Sequence, residues 1–178
     1  MQLSVSHAFL PKQQSTRASI VMDHFGIGFE TGRHVIAEGL ELPIRSGDVV
    51  CFTGASGSGK SSLMRAVVEQ LRGAAAVMNA DDLELPETIL VEAIDLPVEE
   101  SLPLLSSCGL GEAHLLLRTP QELSDGQRYR FRLALALSRK PNWIVADEFS
   151  ATLDRTLAQV VAFNVHRIAD RTGTGFLL

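Results

Sequence analysis

Cysteine is scarce. Cys51 and Cys108, far apart and in apolar neighbourhoods, are too few for a disulfide framework or for a zinc site built from paired ligands. That scarcity favours a reducing cytoplasm. No run approaches the roughly 18 apolar residues that a membrane helix needs. The opening MQLSVSHAFLPKQQSTR also lacks the charged start and long apolar core of a secretory signal. Positive charge is not in excess: 16 Lys and Arg against 21 Asp and Glu give a net charge of -5, so no general field points to nucleic acid. What is present is ordinary for a globular enzyme, with 46% hydrophobic and 21% charged residues. The 178 residues suit one domain, long enough to bury roughly 70% of its unfolded surface.

Along the chain, residues 1–19 are polar and Ser/Gln-rich around Pro11, which predicts an N-terminal arm or linker of little function. From Ile20 the pattern becomes short apolar runs between turns. ASIVMDHFGIGFE, HVIAEGLELPI and VVCFTG all read as strands. KSSLMRAVVEQLRG follows, with Leu63, Ala66, Val67 and Leu71 at helical spacing and a stop at Gly73. AAAVMN predicts a short strand. Residues 81–122, rich in Leu, Glu and Pro, predict short helices joined by turns at Pro86, Pro97, Pro103 and Gly109. RYRFRLALAL alternates as a strand would, but its Ala, Leu and Arg content and the stop at Pro141 and Asn142 favour a helix. WIVADE is then a buried strand, LAQVVAFNVHRIADRTG a helix and TGFLL the start of a last strand. No internal repeat is visible.

Two stretches carry chemistry. GASGSGKSS, comprising Gly54, Ala55, Ser56, Gly57, Ser58, Gly59, Lys60, Ser61 and Ser62, matches G-x-x-x-x-G-K-[ST] between an expected strand and an expected helix. Glycines let such a backbone curl so that successive N–H groups face phosphate oxygens, with the positive end of a helix dipole behind them. Lys60 would reach the β and γ phosphates of ATP, and Ser61 would offer its hydroxyl to Mg²⁺. WIVADE delivers two carboxylates to a strand's C-terminal end, where open parallel sheets bind ligands. Asp147 suits the metal, and Glu148 suits a base that polarises the attacking water.

Together with LSDGQ (Leu123 to Gln127), these stretches resemble the ATP-binding cassette (ABC) ATPases. The resemblance runs without gaps from Leu123 to Asp154: Arg130 falls at the signature-helix arginine, Pro141 precedes the strand, and Leu153 and Asp154 fit the D-loop. It implies an α/β P-loop NTPase fold with a mixed sheet and a reduced helical subdomain at about 81–140, within an ATPase domain spanning 20–178. It also implies a homodimer closed head to tail over two ATP molecules, in which Ser124, Gly126 and Gln127 of one copy meet the γ-phosphate held by the other. Ser124 has a hydroxyl for this, and Gly126 lets a backbone N–H come close. Asp125 stands where the family more often has glycine. Phe29 lies where an aromatic stacks on adenine, shortly before Val35 and Ile36, with Phe25 as the competing candidate.

The chain departs from the family pattern in three places. No Gln follows the strand after the P-loop helix; AVMNADDLELPETIL offers Asn79 or Asp81 to the metal instead. Only 62 residues separate Lys60 from Leu123. That is short for a transporter ATPase and too short for coiled-coil arms of the DNA-repair type. By the family pattern, a histidine contacting the γ-phosphate would lie about three residues beyond Leu178, and none of His7, His24, His34, His114 or His166 is placed to substitute. The chain is therefore expected to be cut from a longer protein. The run from SATLD to the end is similar to soluble cassettes fused to a predicted acetyltransferase domain, which would lie outside this chain. The leading expectation is thus a non-transport ATPase with no direct membrane insertion. A transporter subunit and a nucleotide-gated scaffold with little hydrolysis are the alternatives.

Overall fold

The computed structural model describes residues 1–8, 10–11, 13–28, 32–147 and 155–178. The expected single domain divides into two compact units, one of Met1–Pro43 with Thr53–Val67, the other of Ile44–Phe52 with Val68–Leu178.

In the first unit, strand β1 (Gln2–Ala8) pairs antiparallel with β2 (Arg33–Glu41). The opening residues are therefore not a loose arm. Leu3 and Val5 alternate with Ser4 and Ser6, a period-two pattern that the serines disguise as linker composition. Those serines serve the pairing: Ser4 Oγ accepts from Gly39 N (3.0 Å), and Ser6 Oγ accepts from Arg33 Nε (2.9 Å). A second expectation fails beside it, because ASIVMDHF is not a strand but most of helix α1 (Thr16–Phe25). Its β-branched run suggested a strand, but the ends decide. Ser15 caps the N-terminus by accepting from Ala18 N, and Gly26 closes the C-terminus at φ +63°.

In the second unit, the order β3–β6–β5–β4 is parallel throughout: β3 (Val49–Val50), β6 (Gly175–Leu177), β5 (Trp143–Val145) and β4 (Val77–Asn79). The antiparallel and parallel pairings thus fall in separate sheets. β5 and β6 are buried along their whole length, as continuous apolar strands between covered faces should be. Gly175 faces Trp143, and a Cβ there would lie 2.4 Å from the indole, so only glycine admits the ring. The helical stretch comprises α3 (Leu90–Ala93), α4 (Val98–Ser107), α5 (Ala113–Leu116), a 3₁₀ turn (Pro120–Glu122) and α6 (Asp125–Ser138). α6 bears out the helical reading of RYRFRLALAL; it is buried on several sides, through Phe131, Leu133, Ala134 and Leu137, which is why its pattern lacks one apolar face. Pro103 does not make the expected turn. It sits inside α4, whose Ser101 and Leu105 are fully buried, so tertiary packing outweighs the lost backbone donor. α7 (Arg155–Thr172) contributes Val161 and Val165 to the same core. α2 (Lys60–Arg72) follows the phosphate loop, and the chain passes from one unit to the other within it.

Candidate active site

The glycine loop lies in the first unit. Gly54, Gly57 and Gly59 have φ of +151°, +77° and +89°, values that L side chains rarely adopt. At Gly59 the constraint is double, because a Cβ would come within 2.7 Å of Ile36 on β2. The Lys60 ammonium donates to the carbonyls of Gly54 (3.0 Å) and Ala55 (2.9 Å), so its charge is drawn over the mouth of the loop. Ser61 and Ser62 open the first turn of α2, where unpaired amides and the helix dipole favour an anion. Sequence reasoning missed one neighbour: the His7 ring meets Ser62 Oγ at 2.6 Å. The period-two pattern of β1 was the signal that could have brought His7 to the loop. Phe25 is 72% exposed on α1; Phe29, its rival for the adenine, lies outside the described residues.

The second unit carries the carboxylate and the LSDGQ turn. Asp147 lies two residues beyond the end of β5, with its backbone N–H donating to Asp81 Oδ2 at 3.0 Å. Asn79 ends β4 with both side-chain atoms in a turn: Oδ1 accepts from Asp81 N (3.2 Å), and Nδ2 donates to Asp82 Oδ2 (2.8 Å). Burial pushes the Asp81 carboxyl above the ordinary carboxylate range, opposed by the Asp147 N–H and the Arg132 charge. Glu148 and Asp154 lie outside the described residues. Among the described residues no three His, Cys, Asp or Glu side chains cluster as a protein-only metal cage.

LSDGQ is entered through two successive reciprocal turns. Glu122 accepts from Thr119 N (2.7 Å) and Thr119 Oγ1 (2.9 Å), hydrogen bonds that hold its carboxyl below the usual range. Ser124 then caps α6: its Oγ accepts from Gln127 N (3.3 Å), while Gln127 Oε1 accepts from Ser124 N (3.0 Å). This box occupies the amides of Ser124 and Gln127. Those of Asp125 and Gly126, in the first turn, have no acceptor within the helix. Buried Leu123 anchors the turn below. The Asp125 carboxylate meets Arg128 Nη2 at 3.1 Å, which offsets its charge at the helix start. Arg130, buried, donates to Gly126 O (3.1 Å) and to Gly109 O, fastening the first turn of α6 to the loop after α4.

No protein-family model matches the chain. Among curated proteins, it is 30% identical over 181 residues to the lipoprotein-releasing system ATP-binding protein LolD of Alcanivorax borkumensis, covering 80% of this chain and 78% of that protein. It is 29% identical to the zinc import ATP-binding protein ZnuC of a Chelativorans species, over 93% of this chain and 63% of that one. Its fold superposes on the dimeric structure of MJ0796, a bacterial ABC transporter cassette, with a TM-score of 0.66 at 17% identity, over 99% of this chain and 85% of that one. Phosphate loop, strand-end carboxylate and capped LSDGQ helix thus occur in a chain with these relatives: it belongs to the ATP-binding cassette ATPases, enzymes that bind ATP with Mg²⁺ and hydrolyse it.

Proposed function

We propose that two copies of this chain close head to tail over two ATP molecules, each LSDGQ turn completing the phosphate site of the other. The capping box of Ser124 and Gln127 carries this reading. It fixes a helix N-terminus whose Asp125 and Gly126 amides are left for an external acceptor, and a γ-phosphate is an acceptor of matching charge. On the other side of each ATP, Lys60 and the amides from Gly54 to Ser62 hold the phosphates. Ser61 and Asp147 would hold Mg²⁺, with Asn79 as a further oxygen ligand. A metal held there would supply positive charge to the phosphate oxygens. Glu148 takes the proton of the attacking water, Asp154 of the D-loop belongs to the nucleotide site, and Phe29 stacks on the adenine. The deciding experiment is sedimentation of Glu148→Gln. A dimer with Mg-ATP and a monomer with Mg-ADP is expected, while a monomer under both conditions overturns the head-to-tail reading.

The relatives favour a transport role over the non-transport protein that the short stretch before Leu123 suggested. LolD and ZnuC are the ATP-binding proteins of a releasing and an import system. No helix among the described residues is long and apolar enough to cross a membrane. We therefore read the chain as the ATP-binding subunit of a transport system, held at the cytoplasmic face by a membrane-embedded partner. Recovery of the tagged chain with membranes from its native cells, and its release on solubilising that partner, is expected. Purely soluble recovery would return the non-transport reading.

A further inference from the structure

The ladder between β4 and β5 ends where Ala80 N donates to Val145 O at 2.8 Å. On this side of β5 the next amide is that of Asp147, and it meets the side chain of Asp81 at 3.0 Å. Asp81 is held for this task by the turn around Asn79, which accepts the Asp81 N–H. Arg132 of α6 acts on Asp81 through its positive charge, and the Tyr129 hydroxyl, also from α6, feels the Asp81 carboxylate. Asp82 and Asp147 add negative charge nearby. The Arg132 Nε is buried and has no hydrogen-bond partner among the described residues. A half-buried carboxylate thus sits at the end of β5, within electrostatic reach of Arg132 and Tyr129 on α6.

We propose that Asp81 is a positioning residue: its carboxylate extends the ladder by one bond and so fixes the backbone that presents Asp147 to Mg²⁺. The proposal rests on Asp147 holding the metal. A metal-bearing carboxylate at a strand end gains from a held main chain, and on the β4 side the backbone ladder ends at Val145, while on the β6 side Ala146 N still donates to Leu177 O. Groups that orient a ligand in this way commonly change metal affinity about 10–100-fold when removed. The role differs from metal ligation, because it needs a hydrogen-bond acceptor rather than a charge on the ion. Asn in place of Asp keeps that acceptor.

The test compares wild type with Asp81→Ala, Asp81→Asn and Asp147→Asn in the full chain, by two readouts. One is amide exchange of Asp147 by NMR without nucleotide. The other is ATP affinity in Mg²⁺ and in EDTA. Asp81→Ala should speed Asp147 exchange about tenfold or more and cut the Mg²⁺ enhancement of ATP binding about 10–100-fold, with affinity in EDTA unchanged. Asp81→Asn should restore most of both. The proposal is overturned if Asp81→Ala alters neither readout, or if Asp81→Asn keeps slow exchange yet loses the Mg²⁺ enhancement, which would make Asp81 itself a ligand. Failure of the underlying metal reading is separate: Asp147→Asn would then keep the full Mg²⁺ enhancement. Should Asp81→Ala not fold, Asp81→Asn keeps the proposal falsifiable, because a loss of the Mg²⁺ enhancement beyond about tenfold in that variant overturns it.

Discussion

The two units hold their motifs in place by opposite means. The unit with the glycine loop buries few apolar side chains, Leu3, Met64 and Val67, and is tied by polar contacts such as Ser4 to Gly39, Ser6 to Arg33 and Lys60 to its own loop. The unit with Asp147 and LSDGQ packs Phe131, Phe176, Leu105, Ile144 and Val165 to zero or near-zero exposure. Order in the first is mainly polar, whereas in the second it is mainly apolar. The difference teaches that the loop's shape is set by backbone geometry at glycines, while the positions of Asp147 and the LSDGQ turn are set by a core behind them.

The largest expected effect breaks that core. Phe131→Ala should cost about 3–5 kcal/mol by urea unfolding. It should also speed alkylation of Cys108, whose thiol is buried and pushed up to about 12, while exposed Cys51 keeps its rate. If Cys108 labelling did not change, Phe131 would not belong to the cooperative unit. Next, Gly59→Ala forces a side chain to φ +89° against Ile36. A strain of about 1–3 kcal/mol is expected to appear as weaker ATP binding by titration. Unaltered Cys108 labelling would sharpen the contrast between the units, and accelerated labelling would erase it.

A smaller effect comes from pH. The Cys108 thiol has its pKa raised in the folded chain, to about 12 from the usual 9.0, so its stabilising neutrality is complete below pH 9 and is lost as pH rises toward 12. At about pH 10 that amounts to roughly 1.4 kcal/mol. Melting curves at pH 8 and 10 should therefore separate more in wild type than in Cys108→Ala. The smallest effect is Ser124→Ala, about 1 kcal/mol of α6 stability by urea unfolding. Its nucleotide-driven dimerisation should fall further than that stability loss explains. If the two losses are equal, Ser124 is a cap and nothing more.

Much of this was legible in the residues. The P-loop, the strand before Asp147 and the LSDGQ helix were each marked by a local pattern, because glycine loops, buried parallel strands and N-caps are written in a few consecutive residues. β1 and α1 were not. In β1 the alternation of Leu3 and Val5 was hidden by the serines between them, and in α1, whose side chains bury nothing, the decisive signals were single residues, Ser15 and Gly26. Pro103 was misread because a helix that buries Ser101 and Leu105 can absorb a proline. Asp81 was visible only as one of two candidates replacing a missing Gln, since its contact with Asp147 spans 66 positions.

The fit of Trp143 over Gly175 also gives the molecule an optical gauge. Trp143 is the only tryptophan in the chain and is 4% exposed, lying on β5 against the strand that joins it to β3. Its emission therefore reports the spacing of the parallel strands, and ultraviolet light reads one unit of the protein without any label.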